Sequence, residues 1–129
     1  MFVINSQKNI SELNKLLAMD KFKEDNSIAY PGAPSEEIRL LCQQVMDAII
    51  TALIKMPEKG LNKVEFWRLL EQGAKFYQRL DSEEVDRGLT YMEDVMDIYG
   101  IQSSEGRLNT WRYGFDPNQN TNKPINFAQ

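Results

Sequence analysis

The stretch 35-SEEIRLLCQQVMDAIITALIKM-56 decides the fold more than any other part of the sequence. Its apolar residues recur every three to four positions for about six helical turns, which is typical of a helix with one buried face. Ser35 is a good helix cap, the two glutamates after it suit the positive end, and Pro57 stops the run. We therefore predict a central core helix over Ser35–Met56, with these inward positions: Ile38, Leu41, Cys42, Val45, Ile49, Ala52, Leu53 and Met56.

Three other segments have the same helical period and their own capping residues. Gly73 lies inside one of them at a cost of about 1 kcal/mol relative to Ala, so we expect another helix to approach closely there. Short connections favour antiparallel neighbours. The predicted fold class is all-α: an antiparallel bundle of four main helices, with a short C-terminal helical or turn segment docked on it. The expected caps are Ser6 or Asn9, Asn62 and Asp81, with Glu65 and Glu84 completing capping boxes and Gly100 ending the fourth helix.

Length and composition predict one domain without a nucleic-acid or membrane partner. We expect residues 1–117 to form a single helical domain and residues 118–129, rich in Asn and Gln, to form a flexible C-terminal tail. The net charge is −4, and no Lys/Arg-rich run or long apolar run is present. The first residues also lack the pattern of a signal peptide, so we expect a cytoplasmic protein. The sequence leaves the oligomeric state open.

Most catalytic chemistry is disfavoured by the residue types present. The chain has no histidine, and its single cysteine, Cys42, falls on the inner face of the core helix. Ser–His and Cys–His catalysis need an imidazole, and zinc or di-iron sites need His or Cys ligands. We therefore expect no catalytic residues, no cofactor and no metal site, and a protein that is not an enzyme.

The fourth predicted helix carries the clearest charge pattern. Seven acidic residues and one basic residue lie between Asp81 and Gly100. Three interpretations are open: a solvated helix face, a surface for a basic protein, or a metal or catalytic site. No apolar residue is placed to raise a carboxyl pKa on that face, which disfavours the third. The candidate partner-binding residues are Glu83, Asp86, Arg87, Glu93, Asp94 and Asp97.

An aromatic cluster follows, in 108-LNTWRYGFDP-117. The segment is too short for a core of its own, so it either docks on the bundle as a clasp or presents an aromatic surface or ligand pocket. Arg112 is expected to stack on these rings or to pair with the acidic helix. The candidate residues are Trp111, Arg112, Tyr113 and Phe115.

Residues 89–117 end in 96-MDIYGIQSSEGRLNTWRYGFDP-117. This run resembles a bacterial family of small helical proteins of unknown function whose C-terminal signature is MDIxGIxSSxGxLNxWxYGFDP. The resemblance implies a helical fold and assigns no catalytic residue.

Two functions remain. The leading hypothesis is a non-enzymatic protein-binding domain, of the type of an immunity protein that neutralises a basic bacterial toxin through an acidic helix face. The alternative is a small-molecule-binding or weakly catalytic helical domain with a pocket between the bundle and the C-terminal aromatic segment. A continuous negative face favours the first, and a cavity of several hundred Å³ near Trp67, Trp111 or Tyr113 favours the second.

Overall fold

The computed structural model describes residues 2–115, which form an all-α bundle with a short C-terminal helix packed on it. The predicted fold class is confirmed. The end of the predicted domain at residue 117 and the predicted tail lie outside the described residues. The helices are α1 (Gln7–Ala18), α2 (Glu36–Lys55), α3 (Lys63–Tyr77), α4 (Ser82–Ile98) and α5 (Arg107–Tyr113), and a two-residue antiparallel ladder joins β1 (Phe2–Val3) to β2 (Leu61–Asn62).

Side-chain caps begin the first three helices as predicted. Ser35 Oγ accepts a hydrogen bond from the Ile38 amide at 3.1 Å, and Asn62 Oδ1 accepts one from the Glu65 amide at 2.9 Å. Ser6 caps α1 in the same way. Asp81 is the N-cap residue of α4 as predicted, but it makes no side-chain capping bond, and the predicted capping box is wrong because Glu84 is buried.

The α2 helix lies in the centre, against α1, α3 and α4. Its buried face is rotated from the predicted one, because Met46 and Ile50 are fully buried while Leu41 and Ala52 are exposed. Val45 is only partly buried. Apolar residues surround so much of α2 that periodicity alone leaves the centre of the buried face undefined. Only the positions of the neighbouring helices select it.

Two glycines allow the close packing of α3 against its neighbours. A Cβ atom at Gly73 would overlap Ile49 of α2 and lie 3.3 Å from Met92 Cε of α4, so the predicted close approach at Gly73 is confirmed. A Cβ atom at Gly88 of α4 would lie 2.5 Å from the ring of Tyr77. The hydroxyl of Tyr77 in turn donates to the Cys42 carbonyl at 2.8 Å, which joins α3 to α2.

Gly100 ends α4 as predicted. Its φ angle is +72°, its amide donates to the Asp97 carbonyl at 3.0 Å, and the Ile101 amide donates to the Met96 carbonyl at 2.9 Å. This pair of bonds is the Schellman arrangement, which needs a left-handed residue. The chain then reverses and places α5 against both α3 and α4.

Candidate functional site

Arginine pairs neutralise part of the N-terminal half of α4. The Asp86 carboxylate pairs with the guanidinium of Arg112 on α5. Arg112 also lies over the Tyr113 ring, 4.9 Å from its centroid. Arg112 therefore makes both contacts that the sequence offered as alternatives. Asp86 is held in a contact within the protein, so its charge is partly balanced.

Arg87 is also held inside the protein. Its Nη2 atom donates to Asp25 Oδ2 at 3.4 Å, and its guanidinium lies 4.7 Å from the Tyr91 ring centroid and 5.6 Å from that of Tyr30. These contacts fasten the loop before α2 onto α4. Glu83 is exposed and, within residues 2–115, has no ion pair; it lines a shallow depression of about 300 Å³ beside this loop.

The same loop is attached by a buried carboxyl group that the sequence analysis assigned to a cap. The Tyr30 hydroxyl donates to Glu84 Oε2 at 2.9 Å, and both side chains are buried. Burial raises the pKa of Glu84, and the hydrogen bond from Tyr30 opposes that rise. The sequence did contain a signal for the burial of Glu84. Glu84 lies one helical turn before Gly88, so both residues are on the inward face of α4.

Replacing Tyr30 by Phe should destabilise the protein more at pH 7 than at pH 4. Because the pKa of Glu84 is already raised in the folded state, its contribution to stability is greatest at low pH and is lost as pH rises through the folded pKa. Removing the donor raises that pKa further. Leaving the buried Glu84 carboxylate without its donor should lower the free energy of unfolding by about 1–3 kcal/mol near neutral pH.

Urea denaturation at both pH values measures this difference. The matched control is Tyr99→Phe, which removes a hydroxyl that donates to the uncharged Asn5 side chain at 2.9 Å. The loss in the control should not depend on pH over this range. An equal loss for Tyr30→Phe at pH 4 and pH 7 would contradict the role given to Glu84.

The C-terminal half of α4 carries unbalanced negative charge. Glu93, Asp94 and Asp97, here called the acidic patch, form no ion pair within the described part of the chain. Partial burial raises the pKa of Glu93, and the neighbouring Asp97 and Asp94 raise it further. Burial and Asp97 also raise the pKa of Asp94, against a lowering effect of Arg87. The expectation that nothing on this face shifts a carboxyl pKa is therefore wrong.

The carboxylates of α4 thus do not form one continuous negative strip. Asp86 pairs with Arg112, and Glu84 is buried, whereas Glu83 and the acidic patch have no ion pair within residues 2–115; of the patch residues, Asp94 has a pKa that burial raises and Arg87 partly lowers. Among residues 2–115, no group of three or more His, Cys, Asp or Glu side chains is arranged to hold a metal ion. Burial raises the pKa of the Cys42 thiol to about 11, so it is protonated at neutral pH.

The predicted aromatic cluster is divided between core and surface. Trp111 is 8% exposed, its carbonyl accepts a hydrogen bond from Gln78 Nε2 at 2.8 Å, and its ring lies 6.3 Å from that of Trp67. Tyr113 and Phe115 are 53% and 61% exposed. Only Trp111 is therefore buried against the bundle, as expected of a residue that docks the segment, and the rings of Tyr113 and Phe115 lie on the surface.

A cleft of about 300 Å³ lies between α3 and α5. We call it the aromatic cleft; its lining residues are Val64, Trp67, Arg68, Glu71, Arg107 and Trp111. Sequence reasoning named the two tryptophans but missed Arg68 and Arg107, which come from different elements. Val64 is exposed, because the cleft leaves that side of α3 uncovered.

The fold and the surfaces described above define a small all-helical domain with charged surface sites. Residues 4–116 match the family described as Domain of unknown function (DUF4844). The chain belongs to this family, and the match extends well beyond residues 89–117, where the sequence resemblance was seen. A search of curated proteins and a search of solved structures each found no match.

No helix among the described residues combines the length and the apolar character needed to cross a membrane.

Proposed function

We propose that the protein is a non-enzymatic binding domain that uses the acidic patch of α4 to bind a basic protein. The observation that carries this proposal is the uncompensated charge of Glu93, Asp94 and Asp97. Elsewhere on α4 an arginine partner accompanies the exposed Asp86, whereas the patch has no ion pair within residues 2–115. Lys or Arg side chains of a partner would supply the missing cations.

Burial is the main cause of the raised pKa values of Glu93 and Asp94, but repulsion by the neighbouring carboxylates adds to both shifts, and this part supports the same proposal. Like charges on neighbouring helical turns repel each other and lower the stability of the free protein. A cationic partner relieves that repulsion, so part of the binding free energy comes from removing a cost that is present before binding. Complementary charge also accelerates the encounter of the two proteins.

Within this class we favour an immunity-type protein of a bacterial cell, which binds a basic toxin in the cytoplasm and covers its active site. A small domain with a net charge of −4 and an unpaired acidic patch suits that role. This proposal includes a bacterial origin of the chain, which the resemblance of its C-terminal signature suggests. The most direct candidate for the partner is the product of a neighbouring gene.

The experiment is capture of a basic protein from the source cell, followed by association kinetics with the purified pair. Replacing Glu93, Asp94 and Asp97 by Lys should leave the bundle folded, because Glu93 and Asp97 are exposed, Asp94 is only partly buried, and surface charges contribute less than about 1 kcal/mol each to stability. It should slow association by about tenfold or more and flatten its salt dependence.

The matched control places three Glu→Lys changes at exposed positions elsewhere, Glu24, Glu37 and Glu58. The control changes net charge by the same amount and should retain most of the association rate. Equal slowing in both variants would mean that total charge matters and the patch does not. The proposal would be overturned if the wild-type protein captured no basic protein from the cell and also failed to bind the purified product of the neighbouring gene.

A further inference from the structure

The aromatic cleft is bordered by two tryptophans, one of which has an unpaired polar group. Both tryptophans of the chain line it, and they are almost completely buried: Trp67 is 5% exposed and Trp111 is 8% exposed. Trp67 nevertheless carries a buried indole Nε1–H with no hydrogen-bond partner in the described structure. Buried polar groups of native proteins are nearly always satisfied, so the wall of the cleft contains a donor whose acceptor is missing; because this nitrogen is inaccessible in the structure, it pairs with a ligand only if the wall moves.

Two arginines give the cleft a net positive charge. Arg68 is exposed and has no ion pair or hydrogen bond within residues 2–115. The guanidinium of Arg107 lies 4.9 Å from the Trp67 ring centroid. Against these two cations stands one lining acid, Glu71, which also has no ion pair in the described part of the chain.

Arg107 keeps most of its capacity to bind an anion. Its nearest acid is Glu105 at 3.7 Å, but Glu105 lies closer to Lys63, at 2.5 Å. Arg107 Nη1 also donates to the Ser104 carbonyl at 3.1 Å, which holds the side chain in place over Trp67. A planar guanidinium held in this way can form paired hydrogen bonds with a carboxylate.

We propose that the aromatic cleft is a binding site for a small aromatic carboxylate. The ring of the ligand packs on Val64 and on the accessible edges of the two tryptophans, and its carboxylate accepts hydrogen bonds from Arg68 and Arg107. The volume of about 300 Å³ is at the lower end of the range for ligand pockets, which restricts the ligand to about one ring and its substituents. This site is independent of the acidic patch.

Phenylacetate is the probe, and intrinsic fluorescence is the first measurement, because the only two tryptophans of the chain line the cleft. We expect saturable quenching and a 1:1 heat of binding in calorimetry. Phenylacetamide, the neutral analogue, should bind at least tenfold more weakly. Phenyl phosphate tests the anion: tighter binding of phenyl phosphate would overturn the assignment to a carboxylate.

Arg68→Gln and Arg107→Gln should each weaken phenylacetate binding about tenfold or more, with unchanged melting temperature for the exposed Arg68. The matched control is Arg79→Gln, an exposed arginine beyond the end of α3 and outside the cleft, which should bind as wild type. Shifts of the indole N–H resonances in NMR spectra report binding next to the two tryptophans that line the cleft. Absence of saturable binding, or equal binding by wild type and both cleft variants, would overturn the proposal.

Discussion

Replacing Asp47 by Ala should lower the free energy of unfolding by about 3–5 kcal/mol, since it removes the counter-charge of a fully buried lysine. The side chain of Lys21 has no exposed surface, and its Nζ atom lies 2.7 Å from Asp47 Oδ1. The same ammonium group donates to the Leu17 and Met19 carbonyls. Those two bonds remain in the variant, but no acid replaces Asp47, and the buried charge is left uncompensated.

Urea denaturation measures this loss, and the sequence offers two informative controls. Lys21→Met removes the buried ammonium and leaves an Asp47 side chain that is 26% exposed although its Oδ1 atom is buried, so the carboxylate keeps part of its hydration and the cost should be smaller. Asp20→Ala removes a carboxylate from a surface pair with Lys23 at 2.9 Å, which should change stability by less than about 1 kcal/mol. If Asp47→Ala lowers the free energy of unfolding no more than Asp20→Ala does, the Lys21–Asp47 pair does not stabilise the fold as we expect.

Trp111→Ala should be the largest loss among the aromatic residues of the C-terminal segment, at about 3–5 kcal/mol. The Trp111 ring packs on Trp67, and its position on α5 holds that helix against α3. Truncation removes most of the contact surface and opens the aromatic cleft. The corresponding fall in melting temperature is about 10 °C or more for a domain of this size.

Tyr113→Ala is the matched control, because it truncates an aromatic ring two residues further along the same helix that is largely exposed. Its effect should stay within about 0.5 kcal/mol. Thermal melts followed by circular dichroism compare the two variants. Equal melting temperatures for Trp111→Ala and wild type would show that α5 is not anchored by this residue.

The candidate site was only partly predictable. The sequence lists the carboxylates of α4, but it does not say which are balanced, because their partners are distant in the chain. Arg112 is 26 positions from Asp86, and Asp25 is 62 positions from Arg87. Whether a charge is free or engaged therefore depends on how the helices pack, and this separates the acidic patch from the rest of the helix.

The sequence by itself determined the helices, most of their caps, the Gly100 terminator and the need for a close approach at Gly73. These features depend on residues within about four positions of one another, where backbone geometry sets the contacts. Only the tertiary structure decided that Leu41 is exposed, that Lys21 and Glu84 are buried with partners, and that Trp67 and Trp111 share a cleft. Those outcomes depend on contacts between distant segments, since the wide apolar surface of α2 permits several rotations and only its packed neighbours select one.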